Sequence, residues 1–162
     1  MKKVFLIVIF TCLTVAISAQ TNLTSVQKEF QSKIIQFLNE EEGFSPRLNQ
    51  SNTIVFNSKN DGEQHWISIY GEAPFFVMIH REGYPSEGYN AVNRQNVLLA
   101  ANKVNETSKA VKLFYADRNV LFSVEQYVHT EIDLFYVFSK NMENLANAKE
   151  LFLKEYKNLQ NR

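Results

Sequence analysis

Cysteine, glycine and proline are scarce in this sequence of 162 residues, which contains one Cys, five Gly and three Pro. A single cysteine excludes a disulfide framework and any metal site built from several thiolates. The low glycine and proline content excludes collagen-like and low-complexity architectures. A net charge of one sign is also missing, because 17 basic side chains balance 17 acidic ones. That balance provides no basic footprint for nucleic acid, so we expect no nucleic-acid partner.

Apolar and aromatic residues are plentiful, at 45% and 13% of the chain. This content is too high for a disordered segment, which cannot bury enough apolar surface to fold. The length fits one domain with a core of its own.

The N-terminus has the three parts of a secretory signal peptide. Met1–Lys3 is positively charged, Val4–Ile17 is mostly apolar, and Ser18-Ala19-Gln20 supplies small residues and a polar break. The apolar run is shorter than the roughly 20 residues of a membrane-spanning helix. We predict cleavage after Ala19, so that residues 1–19 are a signal peptide and residues 20–162 a single periplasmic or secreted domain. The Met-Lys-Lys start is typical of bacterial signal peptides.

Lipid attachment at Cys12 is the alternative for this segment. The preceding Ile9-Phe10-Thr11 is bulkier than lipid attachment requires, and the apolar run continues past the cysteine, so we do not expect a lipoprotein. Removing residues 1–19 leaves 15 basic and 17 acidic side chains, a net charge of −2, and no thiol. The absence of a thiol excludes cysteine catalysis in the mature domain. No later apolar run is long enough to span a bilayer.

Hydrophobic periodicity predicts an α+β domain with the element order α-β-β-β-α-β-β-α. Thr24 or Ser25 caps the first helix, with Gln27 as the capping-box partner of Thr24, and this helix ends near Glu42. The second helix covers about Asn90–Val104, and Thr130 caps the third, with Asp133 as its partner. The predicted strands are Thr53–Asn57, Gln64–Tyr70, Pro74–Arg81, Lys109–Tyr115 and Asn119–His129, with an optional short strand in Phe44–Leu48. Hairpin turns between them predict an antiparallel sheet with the terminal helices on one face.

Strand alternation divides the side chains between two faces of this sheet. One face is aliphatic or Phe and is expected to meet the helices: Ile54, Phe56, Ile67, Ile69, Phe75, Val77, Ile79, Val111, Leu113, Val120, Phe122 and Val124. The other is half aromatic and half polar: Trp66, Ser68, Tyr70, Phe76, Met78, His80, Lys112, Phe114, Ser123 and Glu125.

The mixed face is typical of protein interfaces, which are enriched in large aromatics and Met. We therefore expect it to bind a protein, a peptide or a second copy of the chain, with Trp66, Tyr70, Phe76, Met78 and Phe114 as the contact residues. The alternative is that the second helix or a long loop covers this face.

The segment between the third strand and the second helix carries Tyr84 and Tyr89 among two glycines and a proline. These tyrosines offer rigid contact area to a partner, or else they pack on the edge of the domain. A rival function from another class uses the same segment: a small periplasmic ligand-binding protein or hydrolase with a site around Tyr84, Tyr89 and His80.

Motifs for catalysis and metal binding are missing from the sequence. It contains no G-x-S-x-G, P-loop, G-x-G-x-x-G or H-E-x-x-H. His65, His80 and His129 do not stand at the spacing of metal ligands. We expect a protein without enzymatic activity, cofactor or metal.

With this element order, the chain resembles the type III secretion chaperone-like superfamily, and within it the YbjN-like branch. The resemblance extends over residues 24–157 and is carried by Phe37–Phe44, Ile54–Phe56, Trp66–Ile69, Ala100–Asn105, Lys109–Lys112 and Leu121–Glu125.

The resemblance implies a non-enzymatic α+β module, often a homodimer, that binds protein segments or acts in regulation. The chain differs from secretion chaperones in its export segment and in its mild mature charge of −2, since those chaperones are cytosolic and strongly acidic. We therefore expect a protein-binding role outside the cytosol.

Overall fold

The computed structural model of the chain describes residues 22–40, 44–58, 62–83, 91–116 and 119–161. The described part is α+β and has the element order α-β-β-β-β-α-β-β-α. Its helices are α1 (Ser25–Glu40), α2 (Ala91–Thr107) and α3 (Glu131–Gln160). Its strands are β1 (Arg47–Leu48), β2 (Ile54–Asn57), β3 (Gln64–Tyr70), β4 (Phe75–Gly83), β5 (Lys112–Ala116) and β6 (Asn119–Val128). The predicted fold class is confirmed, and the optional strand near Phe44–Leu48 exists as the two residues of β1.

The six strands form one antiparallel sheet in the order β1-β2-β3-β4-β6-β5. The hairpins β2–β3, β3–β4 and β5–β6 pair neighbours in the sequence, as predicted. The chain leaves the sheet after β4, forms α2, and returns so that β6 pairs with β4 along nine residues, from Phe75↔Val128 to Gly83↔Val120. This arrangement makes β5 an edge strand.

All three helices bury their apolar side chains against one face of the sheet, which we call the inner face. The predicted inner-face residues are buried, and they form one cluster with Ile34 and Leu38 of α1, Val97 and Val104 of α2, and Phe138, Leu145 and Phe152 of α3. The rings of Phe37 and Phe135 stack with centroids 4.1 Å apart, which joins α1 to α3. Because each such side chain contributes roughly 1.5–3 kcal/mol when buried, this cluster dominates folding.

Two glutamine side chains of α1 donate hydrogen bonds to main-chain carbonyls in the connections between strands. The predicted capping box is present, because the Thr24 backbone N–H donates to Gln27 Oε1 at 2.9 Å and the Gln27 N–H donates to Thr24 Oγ1 at 3.2 Å. The same Gln27 amide donates through Nε2 to the Gly71 carbonyl at 2.7 Å. One turn later, Gln31 Nε2 donates to the Asn52 carbonyl at 2.6 Å. Both glutamines are buried, so these bonds are shielded from water.

The predicted cap of α3 is also present. Thr130 Oγ1 accepts from the Asp133 N–H, and Asp133 Oδ2 accepts from the backbone N–H groups of Thr130 and His129 at 2.9 and 3.0 Å. These two backbone bonds lower the pKa of the Asp133 carboxyl. Lys33 of α1 pairs with Glu131 at 3.0 Å and so links the first turn of α3 to α1.

Several predictions fall outside the described residues: the signal peptide with Cys12 and Ala19, the segment containing Tyr84 and Tyr89, and the predicted end of the first helix at Glu42. The second helix runs to Thr107, three residues past its predicted end. In the ranges that the structure describes, none of the helices is long and apolar enough to cross a membrane.

Candidate functional site on the outer face of the sheet

The outer face, opposite the helices, collects the aromatic and polar side chains that alternation assigned to it. Four of the predicted contact residues lie there on adjacent strands and are half-buried, namely Trp66 and Tyr70 on β3 and Phe76 and Met78 on β4. The fifth, Phe114 on edge strand β5, is 38% exposed. The structure therefore gathers these five side chains on one surface.

A row of three aromatic side chains crosses one end of this face. Tyr70, Phe76 and Tyr127 are opposite one another on β3, β4 and β6. Their ring centroids are 6.0 and 5.3 Å apart, within the range of favourable aromatic pairs. Tyr127 is 73% exposed. It was missed in the sequence analysis, although continuing the alternation of Ser123 and Glu125 by two residues reaches it.

Trp66 and His80 are opposite each other on β3 and β4 and form a second aromatic pair, separated from the first row by Ser68 and Met78. Their rings are nearly parallel, at 7°, with centroids 5.4 Å apart. Burial, and to a smaller extent the charge of His65, lowers the pKa of His80 to about 4. The imidazole is therefore neutral at pH 7 and gives this part of the face an apolar, aromatic character.

A charged group lies beside this pair. Ser123, which is opposite His80 in the register, donates through Oγ to Glu125 Oε1 at 3.2 Å. Lys112 Nζ donates to Glu125 Oε2 at 2.5 Å. The serine hydroxyl is thus directed at a carboxylate and not at an imidazole base. The arrangement is that of an ion pair bordering an aromatic surface, and it differs from a nucleophile with its general base.

The second helix does not cover the outer face. The buried side chains of α2, which include Val97, Ala100 and Val104, belong to the inner-face cluster, and α2 packs on α3 and β5. That part of the alternative prediction is wrong. The loop with Tyr84 and Tyr89, the other candidate cover, lies outside the described residues.

A second polar cluster, which the sequence analysis missed, lies on the inner face beneath α3. The Arg81 side chain is only 2% exposed and forms an ion pair with Glu63, whose carboxylate also contacts Lys149 of α3. The His65 ring stacks on the Phe56 ring, with their centroids 5.3 Å apart, and His65 is buried beside Arg81. Two sequence signals pointed here: Arg81 continues the buried alternation of β4, and Lys149 is the one break in the apolar stripe of α3.

Within the described ranges, no group of three or more His, Cys, Asp or Glu side chains is placed to hold a metal ion. Comparison of the chain with protein-family models, with curated proteins and with solved structures gave no significant match.

Proposed function

We propose that this chain is an exported bacterial protein-binding module, without enzymatic activity, that contacts its partner through the outer face of the sheet. The observation that carries the proposal is the aromatic row Tyr70–Phe76–Tyr127, which ends in a tyrosine that is 73% exposed on a face opposite all three helices. Exposed aromatic side chains in a contiguous patch mark interaction surfaces on soluble proteins.

The chemistry of the face favours a protein surface or an extended peptide as the partner. Tyr and Trp contribute large contact areas with little loss of side-chain entropy, and Met78 in the centre adapts its shape to different partners. The ion pair between Lys112 and Glu125 lies toward the β5 edge, where charged groups fix orientation more than they add affinity. A second copy of the chain is the simplest partner with these properties.

The proposed location and ancestry rest on the sequence. The segment 1–19 has the organisation of a signal peptide, and the proposed ancestry, a YbjN-like relative of the type III secretion chaperones, rests on the sequence stretches that carry the resemblance. A periplasmic or secreted module of this kind acts on partners outside the cytosol. If it is exported as proposed, the mature protein recovered from the cell envelope or the medium starts at Gln20, which the mass of its N-terminal peptide measures. Retention of residues 1–19 would contradict export by this signal.

The binding proposal is tested by replacing Trp66, Phe114 and Tyr127, one at a time, with serine in the mature protein. Tyr136 is the matched control, because it is 91% exposed on α3, away from the sheet. We expect the three outer-face variants to weaken self-association in light scattering, or to weaken capture of a partner protein, while Tyr136→Ser leaves both unchanged. Unchanged association in all three folded variants would contradict the proposal.

A further inference from the structure

The stack of Trp66 on His80 fits only the neutral form of the imidazole. Nδ1 of His80 is buried, and it has no hydrogen-bond partner among the residues that the structure describes. A neutral imidazole carries a proton on one ring nitrogen, whereas an imidazolium carries one on both. Protonation therefore places an N–H donor at Nδ1 without an acceptor. A buried charged group without a partner is costly, and stacking of a cation on the indole offsets only part of that cost.

The charged groups beside His80 are engaged with other side chains. On its own and the adjoining strands, the outer face carries Glu82, Glu125 and Lys112, and the inner face carries His65 and Arg81. Glu125 accepts from Ser123 at 3.2 Å and from Lys112 at 2.5 Å. Glu82 accepts from Asn119 Nδ2 at 3.2 Å. The charge of His65 opposes a second positive charge. An imidazolium at position 80 therefore gains a partner only if the face rearranges.

We propose that the outer face carries an acid-sensitive switch, in which protonation of His80 breaks its stack with Trp66 and releases the bound partner. The inference rests on the proposed function of this face, because it names how that function is regulated. The imidazolium leaves the stack to reach water or to compete with Lys112 for Glu125, and Trp66 loses the ring on which it packs. Trp66 is one of the predicted contact residues, so its movement alters the surface that a partner meets.

The acid range of the switch follows from the burial of the ring. Burial, and to a smaller extent the charge of His65, lowers the pKa of His80 to about 4. The position is thus uncharged near pH 7 and acquires its charge only in acid. A partner that binds only the neutral form finds half of the molecules competent at about pH 4, so the apparent Kd is about twofold higher there and about fourfold higher at about pH 3.5.

Trp66 is the only tryptophan in the chain, so its fluorescence reports the stack directly. The emission of the mature protein is recorded from about pH 7.5 to about pH 3.5, with far-UV circular dichroism as the measure of folding. We expect the emission maximum to move to longer wavelength with a midpoint near pH 4, at constant circular dichroism. A loss of circular dichroism in step with the shift would show that acid unfolds the domain, and would overturn a switch confined to the face.

His80→Phe is the matched variant, because it keeps an aromatic ring against Trp66 and does not titrate. His80→Gln removes the ring as well and serves as a second non-titrating variant. We expect neither to show the shift. Glu125→Gln removes the neighbouring carboxylate and leaves His80 in place, so it is expected to keep the shift. Persistence of the shift in the folded His80 variants, or its loss in Glu125→Gln, would assign the titration to another group and overturn the proposal.

Release is measured by crosslinking through a photoreactive phenylalanine in place of Tyr127, in cells held at about pH 7 and at about pH 4, because an exported domain meets the pH of the medium. We expect crosslinking to the partner to fall about twofold at the lower pH and to stay constant in the His80→Phe background. Equal crosslinking of the unaltered face at both pH values would overturn the release. Absence of crosslinks at pH 7 would instead contradict the proposed function, which distinguishes the two failures.

Discussion

The side-chain amide of Asn105 bonds both main-chain groups of Leu113. Asn105 Nδ2 donates to the Leu113 carbonyl at 2.8 Å, and the Leu113 N–H donates to Asn105 Oδ1 at 2.8 Å. Asn105 lies in the last turn of α2, and Leu113 lies on the edge strand β5. The amide thus takes the place that a neighbouring strand would occupy.

This contact bears on how the protein binds a partner. Unpaired main-chain groups on an edge strand invite pairing with another chain. Because Asn105 occupies these groups on β5 at Leu113, extension of the sheet by a partner strand is blocked at that residue. At this point of β5, the contact favours binding through the outer face over the addition of a strand.

The first prediction concerns the substitution Asn105→Ala, which removes both hydrogen bonds to Leu113. We expect the free energy of unfolding, measured by urea denaturation, to fall by about 1–3 kcal/mol, the usual contribution of two such bonds. Asn102→Ala is the control, because Asn102 is exposed on the same helix. Equal stability of the two variants would show that the amide contributes nothing to the edge.

Replacing Gln27 provides the second prediction. Gln27→Ala removes the capping box with Thr24 and the bond to the Gly71 carbonyl. We expect a loss of about 1–3 kcal/mol in the free energy of unfolding, because a cap and a shielded hydrogen bond are lost together. Lys28→Ala, at the exposed neighbouring position, is expected to change stability by less than about 0.5 kcal/mol. A comparable loss in both variants would show that the hydrogen bonds of the Gln27 amide do not set the effect.

Periodicity predicted the fold because the buried side of each element repeats regularly. Phe75, Val77 and Ile79 alternate, and this placed them on the inner face, where they are buried. The same alternation continues to Arg81, but a period of two reports only the face on which a side chain lies. It does not report what neutralises a buried guanidinium.

The pairing within the second polar cluster could not be predicted, because its members come from distant parts of the chain. Glu63 and Lys149 are separated by 86 positions, and only the packing of α3 over the sheet brings them together.

On the outer face, alternation placed Trp66 and Phe76 correctly, while their exposure depended on the side to which α2 packs. The spacing of apolar residues in α2 carries no information on that choice.

The third prediction is a pH dependence of stability that arises from His80. In the unfolded chain an imidazole takes up a proton near its ordinary pKa of 6.5, whereas in the folded protein burial lowers the pKa of His80 to about 4. The unfolded state therefore binds more protons between these values, so the stabilising effect is complete above pH 6.5 and is lost as the pH falls to about 4. The expected loss is about 3 kcal/mol.

Urea denaturation of the wild type and of His80→Gln at several pH values between 7.5 and 4 measures this effect. The variant is expected to lose less stability than the wild type over the interval from pH 6.5 to 4. Parallel curves for His80→Gln and the wild type would contradict the assignment.

Site-specific photo-crosslinking in the source organism tests the central claim most directly. A photoreactive phenylalanine replaces Tyr127 on the outer face in one strain and Tyr136 on α3 in another, both highly exposed tyrosines whose replacement leaves the core intact. Binding through the outer face predicts that illumination joins a protein, either a second copy or another partner, to position 127 and leaves position 136 unlinked. Crosslinks at position 136 alone, or equal crosslinks at both positions, would contradict the account.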